Sequence, residues 1–380
     1  MRINYEGESM ETTEYFYKLL NYHLEFDDYI CSGIMIKSHK SYVKKEDQLT
    51  IPGYIRGLQV KRIGENAFEN DNIIKNIIIE KGITAIESNA FRGCSKLTEI
   101  ELPDGLLEIN SWAFSFCKKL EKIQFPESIY RISSNAFTEC KKLTSVFIPK
   151  GIIDLCTDTF SGCSNLIEII VDEENLEYSS LEGVLFNKEK TVLVEYPAGK
   201  NEKNYIVPDT VIGIDTGAFL NCKKLITVTL PGSLLDLLTC AFLDCDKLKK
   251  VIVQEDNYRF KDIDGVLFDK ELKTIIFYPQ GKKETDYSIP DGIECIKEDA
   301  FRLCKKIKNV TFPESLKIIE RDAFFGCENL TSIILPKYLM RICSYAFNSC
   351  MNLKKVTLSR NTKIGHKAFD DFRVEFDYLD

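Results

Sequence analysis

Residues 97–120, LTEIELPDGLLEINSWAFSFCKKL, decide how this chain folds. Ile100 and Leu102 alternate with Glu99 and Glu101, the period of a strand with one buried face. Pro103 follows directly and lacks the amide that a ladder needs, so the strand should stop there. Beyond it Leu106, Ile109, Ala113, Phe114 and Cys117 are mostly three or four residues apart, which suits tight turns packed inside. A single coil of this kind would expose its apolar interior, and stacking on neighbours buries it.

The same unit recurs along the chain. Aligning on the dyad gives Phe68, Phe91, Phe114, Phe137, Phe160, Phe219, Phe242, Phe301, Phe324, Phe347 and Phe369, separated by 23, 23, 23, 23, 59, 23, 59, 23, 23 and 22 residues. Alanine precedes every one except Phe160, which follows Thr159. Cysteine lies three residues after nine of them, at Cys94, Cys117, Cys140, Cys163, Cys222, Cys245, Cys304, Cys327 and Cys350. The two terminal units have Asp71 and Phe372 there, the kind of departure that the ends of an array show.

The two 59-residue intervals are copies of each other. GVLFNKEKTVLVEYP (183–197) matches GVLFDKELKTIIFYP (265–279), so the segment also repeats with a period of 82 residues. Counted from strand-ending positions, Val171, Tyr196 and Val207 correspond to Val253, Tyr278 and Ile289, and each insert reads as an extra hairpin-like coil that continues the stack.

The pattern L-x-x-I-x-L-P-x-x-L-x-x-I-x-x-x-A-F-x-x-C closely resembles the BspA-type leucine-rich repeat family over roughly residues 49 to 370, and LTIPGYIRGLQVKRIGENAF (49–68) is similar to that family's first unit. The resemblance implies a leucine-rich-repeat solenoid: right-handed stacked coils of short parallel strands with irregular, turn-like returns, β-rich and with little helix. It also implies adhesion or ligand binding at a surface. The expected organisation is an N-terminal cap at 1–48, a solenoid at 49–370 with inserts near 172–205 and 254–287, and a C-terminal cap at 371–380. Within the first cap, TTEYFYKLLNYHL (12–24) reads as a short amphipathic helix and YICSGIMIK (29–37) as a strand.

At 380 residues the chain would usually divide into two or three globular domains, but a repeat array can run this length as one body. The net charge of -8 argues against a face that tracks phosphates, so nucleic acid is not an expected partner. No run of about 18 apolar residues occurs, so no membrane insertion is expected. The opening MRINYEGESMETTEYFYKLL has no signal-like apolar run and predicts no export leader, whereas the family resemblance points to the cell surface. A monomer is expected.

Nothing in the residues calls for catalysis. The 14 cysteines would suggest disulfides in an exported chain, but nine share one repeat position and should form a column of buried free thiols about 4.8 Å apart. Cys31, Cys156, Cys240, Cys295 and Cys343 read as ordinary small interior residues. With no Cys-x-x-Cys, no glycine-rich phosphate loop, and His23, His39 and His366 scattered over the caps, neither a metal nor a cofactor is expected. Lysine pairs at 118–119, 141–142, 223–224 and 305–306 would align as a broken basic ridge; a solvated turn is the plainer reading than an anion site.

The strand face carries the partner expectation. Residues flanking the central isoleucine or valine point outward, and they differ from coil to coil. Lys122, Gln124, Phe147, Ile170, Ile252 and Ile334 are the candidate contacts for a protein or glycan ligand, with Phe147 and Ile170 forming an apolar spot on adjacent coils. The function expected is a non-catalytic, adhesin-like binding solenoid; the alternative is an intracellular scaffold that uses the same face for a cytosolic protein.

Overall fold

The structure, a computed structural model, describes residues 24–27, 34–39, 48–55, 57–238, 240–370 and 374–379. Apart from Leu24, which opens a strand, the segment expected as a helix lies outside these residues, as do His23 and Cys31. The strand expected at 29–37 is described from Ile34, as Ile34–His39. The described residues hold strands and turns with no helix. Two compact units divide the chain, residues 1–200 and 201–380.

In the first unit the wide strands Gln48–Ile51, Asn76–Ile79 and Glu99–Glu101 run parallel, with Leu49, Ile77 and Ile100 in line. Ser145–Ile148 and Glu168–Val171 form a second parallel pair. The prolines act as the sequence reading expects, since Ile51, Glu101 and Ile148 end strands at or just before Pro52, Pro103 and Pro149. A second ladder joins Leu58–Ile63, Ala85–Ile86, Glu108–Ile109, Arg131–Ile132 and Asp154–Leu155. Leu24–Asp27 and Ile34–His39 form an antiparallel pair, and the latter runs parallel to Leu58–Ile63.

The Ala-Phe turn closes each coil against the next. The amides of Phe91, Phe114 and Phe137 donate to the carbonyls of Ala113, Ala136 and Thr159 at 2.8, 2.7 and 2.9 Å. Rungs this short demand a small residue before the ring, and Thr159 fits because its hydroxyl donates back to the Cys156 carbonyl at 2.5 Å. The rings stack, Phe68 on Phe91 at 5.0 Å and Phe91 on Phe114 and Phe114 on Phe137 at 5.2 Å, within 11° of parallel. All of these rings are fully buried.

Among the described residues, the turns from Phe68 to Phe347 that carry an Ala-Phe or Thr-Phe dyad contain two left-handed residues four apart, such as Asn66 with Asn70, Asn89 with Gly93, and Asn135 with Glu139. Asparagine and glycine tolerate that conformation, whereas bulkier residues meet their own backbone. Several coils nonetheless place larger residues there, among them Leu303, Tyr345 and the pair Trp112 and Phe116, both at φ 62°.

In the second unit, Asn204–Ile206, Thr227–Leu230 and Lys250–Val253 form one parallel ladder, Asp286–Ser288 and Asn309–Thr311 another, and Ser332–Ile334, Lys355–Ser359 and Glu375–Leu379 a third. Thr274–Phe277, Cys295–Ile296, Ile318–Ile319, Arg341–Ile342 and Lys363–Ile364 line up on the other side. Phe301, Phe324, Phe347 and Phe369 stack at 4.6, 4.9 and 5.2 Å.

Both inserts contain true hairpins, Tyr178–Leu181 with Val184–Asn187 and Phe260–Ile263 with Val266–Asp269. Glu182-Gly183 and Asp264-Gly265 turn them with both residues at positive φ, the twist that suits a two-residue hairpin. The glycines are required by space as well, since a Cβ on Gly265 would lie 2.7 Å from the Lys250 Cα. Their carbonyls accept from Ile169 and Val251 at 2.9 and 3.0 Å, so the hairpin turn stands where the next strand would be. A fully buried asparagine opens each insert: Asn257 donates to the Pro231 and Leu234 carbonyls and accepts from the Arg259 and Phe260 amides, and Asn175 repeats the set.

One part of the insert reading needs correction. Tyr278 does not end a strand facing the wide ladder; it takes the phenylalanine slot of the turn. Its amide donates to the Ala300 carbonyl at 2.8 Å, its ring stacks on Phe301 at 5.0 Å, and its carbonyl accepts the Cys304 thiol at 3.6 Å. Counting from prolines misplaced it because the insert reaches that slot by a shorter turn.

Candidate functional site

The outer face of the wide strands is built by alternation. Val146 and Ile169 point into the core, so Ser145, Phe147, Glu168 and Ile170 point out. Phe147 lies opposite Ile170 in register and the two are 45% and 43% exposed, an apolar spot on adjacent rungs. Beside them stand Ser145 and Glu168.

Lys122 and Gln124 are exposed, but residues 121–126 form no strand. The Glu121 amide still reaches the Thr98 carbonyl at 3.1 Å, and Ile123 and Phe125 still point inward, while the ladder between Glu99–Glu101 and Ser145–Ile148 is open. Phe125 fills a slot that holds leucine or isoleucine in most coils, and its ring meets Phe137 edge-on at 5.6 Å. In the second unit Phe312 takes the same slot, edge-on to Phe324 at 5.8 Å, and there too the ladder ends, between Asn309–Thr311 and Ser332–Ile334. Lys122 and Gln124 therefore sit on a gap in the ladder and are not brought into register with Phe147.

Ile252 and Ile334 belong to different ladders of the second unit. Ile252 neighbours Thr229, which neighbours Ile206 on the other side. Ile206, 68% exposed, was not singled out from sequence, although the alternation Tyr205-Ile206-Val207 with buried Tyr205 and Val207 carries the signal. Ile334, 69% exposed, neighbours Thr357, and Asp377 follows on the last strand. On the narrower ladder of the first unit, Leu107, Tyr130 and Ile153 succeed one another by amide-to-carbonyl rungs of 3.0 Å, with Leu107 and Ile153 exposed. Tyr130 donates to the Glu108 carboxylate, which pushes the phenol up from its ordinary value.

The cysteine column has a definite chemistry. Cys94, Cys117, Cys140 and Cys163 donate to the carbonyls of Phe68, Phe91, Phe114 and Phe137, all at 3.2 Å. Cys327 and Cys350 repeat this on Phe301 and Phe324 at 3.1 and 3.2 Å. A neighbouring thiol, ahead of burial, raises Cys94 well above the usual thiol range; burial itself raises Cys140 and Cys327 and takes Cys350 to about 12. Such thiols stay protonated at neutral pH and lack nucleophilic character.

The lysine pairs lie among acceptors. Lys141 meets Glu139 at 2.8 Å, Lys305 meets Glu328 at 2.7 Å, and Lys224 meets Asn201 at 2.8 Å, so the ridge is interrupted by partners of its own. Among the described residues no group of three or more His, Cys, Asp or Glu side chains is arranged to hold a metal, and no helix is long and apolar enough to cross a membrane.

Parallel strands in a 23-residue register, joined by Ala-Phe turns over a stacked aromatic and thiol interior, define a leucine-rich-repeat solenoid. The chain belongs to the BspA-type leucine-rich repeat family, whose model, described as a BspA type leucine rich repeat region of six copies, matches residues 61–190, 198–285 and 270–376. A leucine-rich repeat protein from Eubacterium ventriosum is 22% identical, with a TM-score of 0.60 over 84% of this chain and 90% of its own. A leucine rich cell surface protein from Faecalibacterium prausnitzii is 23% identical, with a TM-score of 0.51 over 89% of this chain and 88% of its own. At these identities the likeness establishes the fold. No curated protein matches the chain.

Proposed function

We propose that this chain is a non-catalytic, adhesin-like solenoid that presents the outer face of its wide strands to a protein or glycan. The observation that carries this reading is the pair Phe147 and Ile170, two large apolar side chains held outward on adjacent rungs. Their backbone is fixed by the ladder, so little entropy is lost when a partner covers them, and exposed apolar groups of this kind mark contact sites. The surface location named for the Faecalibacterium prausnitzii relative lends support.

The test is binding of the full chain to an immobilised panel of extracellular-matrix proteins and glycans. The reading expects one or more to be retained, with Phe147→Asp and Ile170→Asp together weakening retention by about tenfold or more, the loss typical of a central contact. A Leu107→Asp, Ile153→Asp control on the narrower ladder should bind as the parent does. Retention of nothing, or equal loss in the control, contradicts the reading. A cytosolic scaffold using the same face is the second reading, favoured by a thiol column that donates to carbonyls instead of forming disulfides. Retention by cytosolic proteins and by none of the panel would select it.

A further inference from the structure

The second insert leaves a notch on the turn side of the second unit. From the core position to the aromatic slot, Leu237 to Phe242 and Ile296 to Phe301 each take five residues. Ile275, which pairs in register with Ile296, reaches Tyr278 in three. The insert's turn is therefore two residues short between two full turns. The result is a cleft of about 40 Å³ whose apolar lining includes Leu237, Leu238, Phe242, Ile276 and Phe277. Phe277 continues the aromatic row, 5.3 Å from Phe242. The two full turns meet across the cleft where the Cys240 thiol approaches the Asp299 carboxylate at 3.0 Å.

The rim is electrostatically uneven. Asp299 is engaged by Arg302 at 3.1 Å, and Asp322 by Arg302 and Arg321 at 3.5 and 3.1 Å. Glu298 is left without an ion pair among the described residues, although Lys297 also lines the cleft; its backbone amide is itself taken by Glu320. Burial first, and then the nearby Asp299, Asp322 and Glu320, raise the Glu298 carboxyl above its ordinary value, against the opposing pull of Arg321. A carboxylate so placed is stabilised by an incoming cation.

We propose that this notch seats one branched apolar side chain of a partner polypeptide whose next residue is a lysine or arginine reaching Glu298. The chemistry follows from the lining: apolar side chains around an open cleft that takes the branched tip of one aliphatic side chain, and one carboxylate without an ion pair among the described residues. The site is separate from the outer strand face, and its occupancy does not depend on that face binding anything.

The experiment titrates the full chain with N-acetyl-Gly-Leu-Lys-Gly-amide and follows leucine and isoleucine methyl resonances by NMR. The expected result is saturable shifts at Leu237, Leu238 and Ile276, with a dissociation constant in the range of about 1–10 mM, as suits a single anchor. The Leu→Ala peptide should lose saturation, and the Lys→Glu peptide should bind about three- to fivefold more weakly, the scale of one exposed ion pair. Glu298→Gln should remove the preference for lysine while keeping the leucine-dependent shifts, and it leaves the core untouched, so the comparison does not depend on a folding defect. Absence of saturation at Leu238 up to about 50 mM, well above that range, or equal affinity for the lysine and glutamate peptides, overturns the proposal.

Discussion

The Cys117 thiol donates to the carbonyl oxygen of Phe91, 26 residues earlier, at 3.2 Å. That carbonyl also accepts the Cys94 amide at 3.2 Å, so the thiol fills its second lone pair in a dry interior and is small enough to do so without opening the 5.2 Å stack. The cysteine at this repeat position is thus a backbone partner that also fills space.

Replacing Cys117 by alanine removes both roles. The expected loss is about 1–2 kcal/mol, from a small void and from one of the two hydrogen bonds that the Phe91 carbonyl accepts, read as a lower urea midpoint with an unchanged slope. In the native chain the column thiols should react with a disulfide reagent far more slowly than after denaturation. A Cys117→Ala chain as stable as the parent would show that the thiol is incidental.

Stability should depend on Glu195. Burial first, and then the neighbouring Asp158, push its carboxyl up to about 8, against a hydrogen bond from the Phe160 amide that favours the charged form. The folded state then holds a proton that the unfolded state releases near pH 4.5. This contribution is full below about 4.5 and is lost as pH rises through about 8, so stability falls with rising pH across that window. Glu195→Gln should flatten the slope and be the more stable chain at the alkaline end. Parallel pH profiles for the two chains would refute the assignment.

Tyr278 sits in a phenylalanine slot with its hydroxyl buried and without a hydrogen-bond partner among the described residues. Removing an unsatisfied hydroxyl is worth about 1 kcal/mol or more. Tyr278→Phe should therefore raise the melting temperature; a fall would mean that the hydroxyl is held in solution by something the fold keeps there.

The repeat was legible because its signals are steric necessities of the interior. Alanine before phenylalanine follows from rungs near 2.8 Å, and the prolines mark strand ends. The hairpins were legible from the GVLF copies, whose glycines stand at positive φ. Tyr278 was misplaced because spacing from prolines cannot report a turn shortened by two residues, and the notch arises from that same shortening. The gap at Lys122 and Gln124 was hidden because Ile123 and Phe125 keep the buried alternation of a strand although residues 121–126 form none. Ile206 carried the right alternation beside Tyr205 but stood outside the 23-residue unit used to find outward positions.

The central claim is that a shared interior of alanine, phenylalanine and thiol holds the coils together while the outer strand positions are free to vary. Urea unfolding of Phe114→Ala beside Glu101→Ala tests it most directly, since Phe114 is fully buried between two stacked rings and Glu101 is exposed on the strand face. The account predicts a loss of about 3–5 kcal/mol for the first and under about 0.5 kcal/mol for the second. Equal losses in the two chains would contradict it.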